Sequence, residues 1–152
     1  MLAAGAAVSV PRPESSKGVR VAEFPVPVNL AERLGRFTEL WAQKKVADLN
    51  DYEIKIAKLK GEFVWHRHPE TDEFFLVISG RLTIRMRDGD VVLGPGELFV
   101  VPRDVEHCPV ADEETAILLV EPAGTLNTGT AGGPLTRAAE ALADPVNPGP
   151  AD

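Results

Sequence analysis

At 152 residues, with 44% of them hydrophobic, the chain is the size of one domain large enough to bury a core. Net charge is −7 at pH 7 and basic residues are scattered among acidic ones, which excludes the basic footprint of a nucleic-acid or anionic-membrane binder. No apolar run reaches the roughly 18 residues of a membrane helix, and Cys108, the single cysteine, excludes an internal disulfide, in keeping with a cytoplasmic protein.

Residues 1–18 are small, polar and proline-containing, without the basic start and long apolar centre of a secretory signal, and are predicted to form a loose, disordered arm. A short extended piece is expected over residues 19–28, interrupted by Pro25 and Pro27. Asn29 and Glu32 have the spacing of a helix cap with its reciprocal partner. Leu30, Leu34 and Phe37 follow at helical intervals, predicting a short helix over about 30–37 that packs its stripe on the rest of the domain. From Trp41 onward strand signals dominate. Residues 44–49 are a candidate strand, and Tyr52, Ile54 and Ile56 alternate with Glu53 and Lys55 as a half-buried strand does.

After Gly61, an extended segment places Val64, His66 and His68 on one face and Phe63, Trp65 and Arg67 on the other. Glu73, Phe75 and Val77 share the next inward face, while Phe74, Leu76 and Ile78 form an apolar outer stripe that must also be covered. Leu82, Ile84 and Met86 then alternate with Arg81, Thr83, Arg85 and Arg87, and Asp88-Gly89 signals a hairpin. Residues 91–93 and 98–101, the His107 segment and residues 116–120 complete the strands, with Asp112-Glu113-Glu114 read as an acidic turn. Short strands at this cadence predict an all-β barrel or sandwich over residues 19–122. Beyond Pro122, residues 123–129 are expected to fold over the barrel as an ordered loop, residues 135–143 to form a short helix, and residues 144–152 to be a disordered tail.

The chemistry concentrates in His66, His68, Glu73 and His107, which include all three histidines of the chain. A lone His-x-His pair on an exposed strand usually binds nothing, and Glu70, Asp72 and Glu73 alone would read as a solvated turn. Together the four side chains make an N3O ligand set, which suits a divalent transition metal: Mn, Fe, Co, Ni, Cu or Zn. Their intervals resemble the two signature motifs of the cupin superfamily. His66-x-His68, four residues, Glu73, six residues and Gly80 follow the first motif; Gly96, Pro102 and His107 follow the second. There are three departures: Gly61 stands one residue too close to His66, Asp104 replaces a glycine, and Ala111 replaces an asparagine. Asp tolerates left-handed backbone, so the turn before His107 is expected to survive. The strand pattern extends the resemblance over about residues 50–121. It implies a jelly-roll β-barrel with His66, His68, Glu73 and His107 as metal ligands. Cys108, next to His107 on a strand, is expected to point away as a small buried hydrophobe.

Four ligands on a six-coordinate metal leave two open positions. The expected function is therefore a metal-dependent enzyme acting on a small oxygenated substrate, in a pocket lined by Phe75 and Tyr52. Cupins with such ligands include dioxygenases, decarboxylases, lyases, polyketide cyclases and isomerases, and the fold does not select among them. Small cupins similar to this one are often labelled mannose-6-phosphate isomerase-like, but a phosphosugar needs basic groups in the pocket, for which Lys58 and Arg103 are the candidates. The alternative is a non-catalytic metal-containing module that binds a small ligand, since no further acid or base is apparent beside the ligands. The stripe of Phe74, Leu76 and Ile78, extended by Phe63 and Trp65, predicts a homodimer.

Overall fold

The computed structural model describes residues 26–142. The expected arm over residues 1–18, most of the extended piece and the tail over residues 144–152 lie outside this range; residues 26–28 have no regular secondary structure. The helix α1 (Leu30–Leu34) is shorter than predicted. Its start matches the sequence signal, because Asn29 Oδ1 accepts from the Glu32 amide at 3.0 Å. Glu32 does not reach back to complete a capping box; its carboxylate accepts from Arg36 Nε at 2.7 Å. Leu34 and Phe37 are buried against Ile56 and Ala116, with Ile78 packed beside them. The helix therefore covers part of the outer sheet face.

The strands are β1 (Lys44–Leu49), β2 (Tyr52–Glu62), β3 (Glu73–Ser79), β4 (Leu82–Met86), β5 (Gly89–Leu93), β6 (Leu98–Val101), β7 (His107–Pro122) and β8 (Glu140–Ala141). They form an all-β jelly-roll barrel with the order β5-β4-β7-β2-β1-β8, and β3 lies between β6 and β7. β7 closes the barrel: its first residues pair with β4, its last with β3, and β2 runs along its other edge. The expected turn at Asp112-Glu113-Glu114 is thus part of one 16-residue strand. The pairing steps from Leu59 opposite Thr115 to Gly61 opposite Ala111, so Asp112, Glu113 and Glu114 stand opposite Lys60 alone, a bulge on β7 that takes the place of a turn. The same irregularity lies at Gly61, where the spacing to His66 departs from the motif.

Ala57, Leu59, Phe75, Val77, Leu82, Ile84, Ile117 and Leu119 form the interior. The helix expected over residues 135–143 is absent from the described residues. There the Arg137 amide donates to Asn127 Oδ1 at 2.9 Å and the Glu140 amide to Gln43 O at 3.1 Å, committing the backbone to the loop and to β8 instead. β8 pairs in parallel with β1, helped by Lys44 Nζ on Glu140 at 2.8 Å. The loop after Pro122 does fold over the barrel, with Asn127 and Thr128 buried. Gly129, at φ +52°, lies against the Arg67 carbonyl and the His68 ring, where a Cβ would not fit.

Candidate metal centre

Glu73 is the first residue of β3 and His107 the first of β7, and both side chains turn inward. The segment holding His66 and His68 is not a regular strand. His66 makes one bridge, its amide donating to His107 O at 3.0 Å and its carbonyl accepting the return bond from the His107 amide at 2.9 Å. The turn before His107 is supported by Asp104, whose φ of +64° is the left-handed conformation expected of it, and whose amide donates to His68 O at 2.9 Å. Four residues from three segments thereby converge. His66, His68, Glu73 and His107 are all buried, and one ligand atom from each lies within 4.8 Å of the others.

The ring orientations suit a cation. His66 Nδ1 is 2.8 Å from Val64 O and His107 Nδ1 is 2.9 Å from Val105 O, contacts in which Nδ1–H donates and Nε2 is left facing inward. His107 Nε2 is 2.6 Å from Glu73 Oε2. His68 Nε2 and His66 Nε2 come within 3.1 and 3.7 Å of the same oxygen, yet neither achieves hydrogen-bond geometry, leaving two buried nitrogens without a partner. Burial alone would raise the Glu73 carboxyl, but His107 first and then His66 and His68 hold it well below the usual carboxylate range. For His68, burial opposes the imidazolium, and Glu73 beside it outweighs this and raises its pKa. Unpartnered buried nitrogens around an ionised carboxylate fit a divalent metal.

A cavity of about 30 Å³ lies beside His66 and Glu73. Phe75 lines it, 2% exposed and edge-on to His107 at 6.1 Å. Tyr52 does not: it is 42% exposed and lies in an outer groove with Phe74 and Val120. The physical reason is parity, since Lys55, Ala57 and Leu59 take the inner face of β2 and put Tyr52 and Ile56 on the outer one. Phe63 also departs from expectation. Freed from strand alternation, it lines the cavity, stacked on Trp41 at 4.7 Å and edge-on to His66 at 5.4 Å. Trp65 instead lies under the Arg87 guanidinium, 3.7 Å from the ring centre, so the two do not extend the outer stripe. Lys58 bonds Phe37 O beneath α1 and Arg103 is exposed beside Asp72; neither lines the cavity. Cys108 is fully buried as a small hydrophobe.

The sequence reading missed Gln43, Lys55, Glu121 and Asn127. Lys55 and Glu121 have no exposed surface, and Lys55 Nζ donates to Glu121 Oε2 at 3.2 Å and to Gln43 Oε1 at 3.3 Å. The signal for them was weak: Glu121 continues the inward parity of Ile117 and Leu119, which is legible only if β7 runs on to Pro122.

An all-β barrel enclosing a histidine and carboxylate cluster defines the class: the chain belongs to the cupin domain family, whose family model (Cupin_2) matches residues 53–121. An uncharacterised protein of Bacillus subtilis, YdbB, is 31% identical over 94 residues, covering 61% of this chain and 83% of that protein. A cupin-2 domain containing protein from Shewanella frigidimarina is 43% identical with a TM-score of 0.62, over 62% of this chain and 93% of that one. A hydroquinone 1,2-dioxygenase from Sphingomonas sp., in complex with 4-nitrophenol, has a TM-score of 0.57 at 18% identity, over 64% of this chain and 32% of that one. At that identity the likeness is one of fold alone. No helix among the described residues is long and apolar enough to cross a membrane.

Proposed function

We propose that the chain is a metal-dependent cupin enzyme in which His66, His68, Glu73 and His107 hold one divalent transition metal. The observation that carries this reading is the pair of buried, unpartnered imidazole nitrogens facing an ionised Glu73. The metal would supply a Lewis-acid or oxygen-activating centre for a small carboxylate, enol or diol. The chain's own residues do the rest. The carbonyls of Val64 and Val105 fix the ring orientations, and Phe63, Phe75, Ile117 and Leu119 line a cavity that excludes bulk water from the reacting group.

The test begins with metal analysis of protein purified without added metal. Protein loaded with Fe, Mn, Ni or Zn is then given keto acids, catechols, β-diketones and phosphosugars while oxygen uptake and substrate loss are followed. Turnover should appear for a small chelating compound and disappear in Glu73→Gln. A Glu73→Gln variant at the wild-type rate would place the activity elsewhere. Failure of every compound to perturb the metal would make the chain a non-catalytic metal-containing module.

A homodimer accompanies this reading, carried by the apolar outer face where Leu98 is 57% and Val100 42% exposed next to Phe74 and Leu76. A cytoplasmic location agrees with the lone, buried Cys108.

A further inference from the structure

Lys55 is an unexpected occupant of a barrel interior, fully buried on the same strand face as Ala57 and Leu59. Its ammonium reaches Glu121 Oε2 at 3.2 Å, Gln43 Oε1 at 3.3 Å and Thr125 O at 3.4 Å. A buried ion pair stabilises a fold no better than apolar side chains of similar volume, so a core that needed only to be filled has no use for it. Its consequence is the orientation of Gln43. An ammonium carries donors only, so the Gln43 amide must turn its oxygen to Lys55 and its nitrogen the other way.

Gln43 is 8% exposed and lines the cavity that His66 and Glu73 also line. Its Oε1 is taken by Lys55, and no hydrogen bond from its Nε2 is found among the described residues. The other polar groups of that wall are occupied. Asn127 Nδ2 donates to Trp41 O and Leu135 O at 3.3 and 2.9 Å, its Oδ1 accepts from Arg137, and Trp41 Nε1 donates to Lys60 O. Gln43 is therefore left with a donor to offer beside the candidate metal ligands.

We propose that Gln43 Nε2 is the donor that fixes an outer oxygen of the metal-chelated substrate, with Lys55 and Glu121 as positioning residues that hold its amide in that orientation. This rests on the functional reading above and narrows it. The substrate carries, beyond its two chelating oxygens, a further acceptor oxygen of a carboxylate or carbonyl.

Two chelators of similar size separate the possibilities: oxalate, which presents outer oxygens when chelated, and acetohydroxamate, which presents a methyl group. Their binding to Co(II)-loaded protein is read from the visible spectrum, with metal content and far-UV circular dichroism as controls. In Gln43→Leu the oxalate Kd should rise roughly tenfold or more, the loss of a hydrogen bond to a charged acceptor, while the acetohydroxamate Kd moves less than threefold. Gln43→Glu keeps a partner for Lys55 at nearly constant volume and should lose oxalate at least as strongly. The double variant Lys55→Met with Glu121→Leu, which leaves no charge unpaired, should lose oxalate selectively as well, a bias that general loosening of the barrel does not produce. Equal changes for both probes, or none, overturn the role of Gln43 and leave the metal-site reading standing. If the wild type holds cobalt stoichiometrically and neither probe alters its spectrum, both the functional reading and this inference fall.

Discussion

Replacing Glu121 by Gln should stabilise the metal-free protein at pH 8 and leave it unchanged near pH 4.5. Burial first, and then the negative charge of Glu73, push the Glu121 carboxyl up from 4.5 to about 7. The Lys55 ion pair at 3.2 Å pulls the other way. Burial and Glu73 prevail because the ammonium is shared with Gln43, the Thr125 carbonyl and Glu53, the last at 3.5 Å, and because Glu121 Oε1 has no partner at all. The folded state thus holds this proton more tightly than the unfolded chain. Its contribution is fully present below pH 4.5 and is lost as pH rises through about 7. The gap between 4.5 and about 7, at roughly 1.36 kcal/mol per pH unit, amounts to about 3 kcal/mol.

Gln keeps the shape of the neutral acid and cannot ionise, so the difference between variant and wild type should grow from nothing to about 3 kcal/mol across that window. Urea unfolding in a chelator, from pH 4.5 to 8, measures it. With a slope of about 1–3 kcal/mol per molar urea, the midpoint at pH 8 should rise by roughly 1–3 M. His68 and other groups titrate in both proteins, so only the difference is informative. Parallel pH profiles, or a variant less stable than wild type at pH 8, would show that the Glu121 carboxyl is not raised and that the Lys55 pair dominates.

His66→Ala or His107→Ala should lose stoichiometric metal by elemental analysis while keeping a β-rich dichroism spectrum; unchanged metal content in both refutes the ligand set. Because Glu73 raises His68 above its ordinary 6.5, protons should begin to displace metal above that pH, and a calorimetric affinity that stays flat down to pH 6 would contradict this. Gly129→Ala should cost about 1–3 kcal/mol in thermal unfolding, since the residue sits at φ +52° against the Arg67 carbonyl, and an unchanged Tm would mean the loop is not strapped there. Light scattering at micromolar concentration should give twice the chain mass of 16.4 kDa, reduced to the monomer by Leu98→Glu; a wild-type monomer would refute the dimer.

Much of the barrel was legible because its signals are local. Leu82 and Ile84 are fully buried and Arg85 exposed, as strict alternation requires when one face meets water. The turn of the β4–β5 hairpin falls on Arg87-Asp88, one residue before the expected Asp88-Gly89, and it, the Asn29 cap and the left-handed Asp104 are each set by a few neighbouring residues. The four candidate ligands were legible for a similar reason, their spacing being tied to the turns that bring them together. β2 was read with the wrong parity because both of its faces are covered, Ile56 by α1 and Ala57 by the barrel interior. Where both faces are dry, alternating charge no longer marks the inside. A lysine then reads as solvent-facing unless its counter-charge is known, and Glu121 lies 66 residues away in the chain.

The continuity of β7 decides what surrounds the metal centre. With Phe74 opposite Val120, the next step along the two strands sets Glu121 beside Glu73, and both carboxylates are buried. Two such groups side by side repel one another when ionised, which is why Glu73 appears among the causes that raise Glu121. Each therefore requires cationic partners of its own: the imidazoles, and a metal they can hold, for Glu73, and Lys55 for Glu121. On this view Lys55 is a consequence of placing two carboxylates in one barrel. Gln43, bound to the same ammonium, carries that arrangement to the cavity wall beside His66.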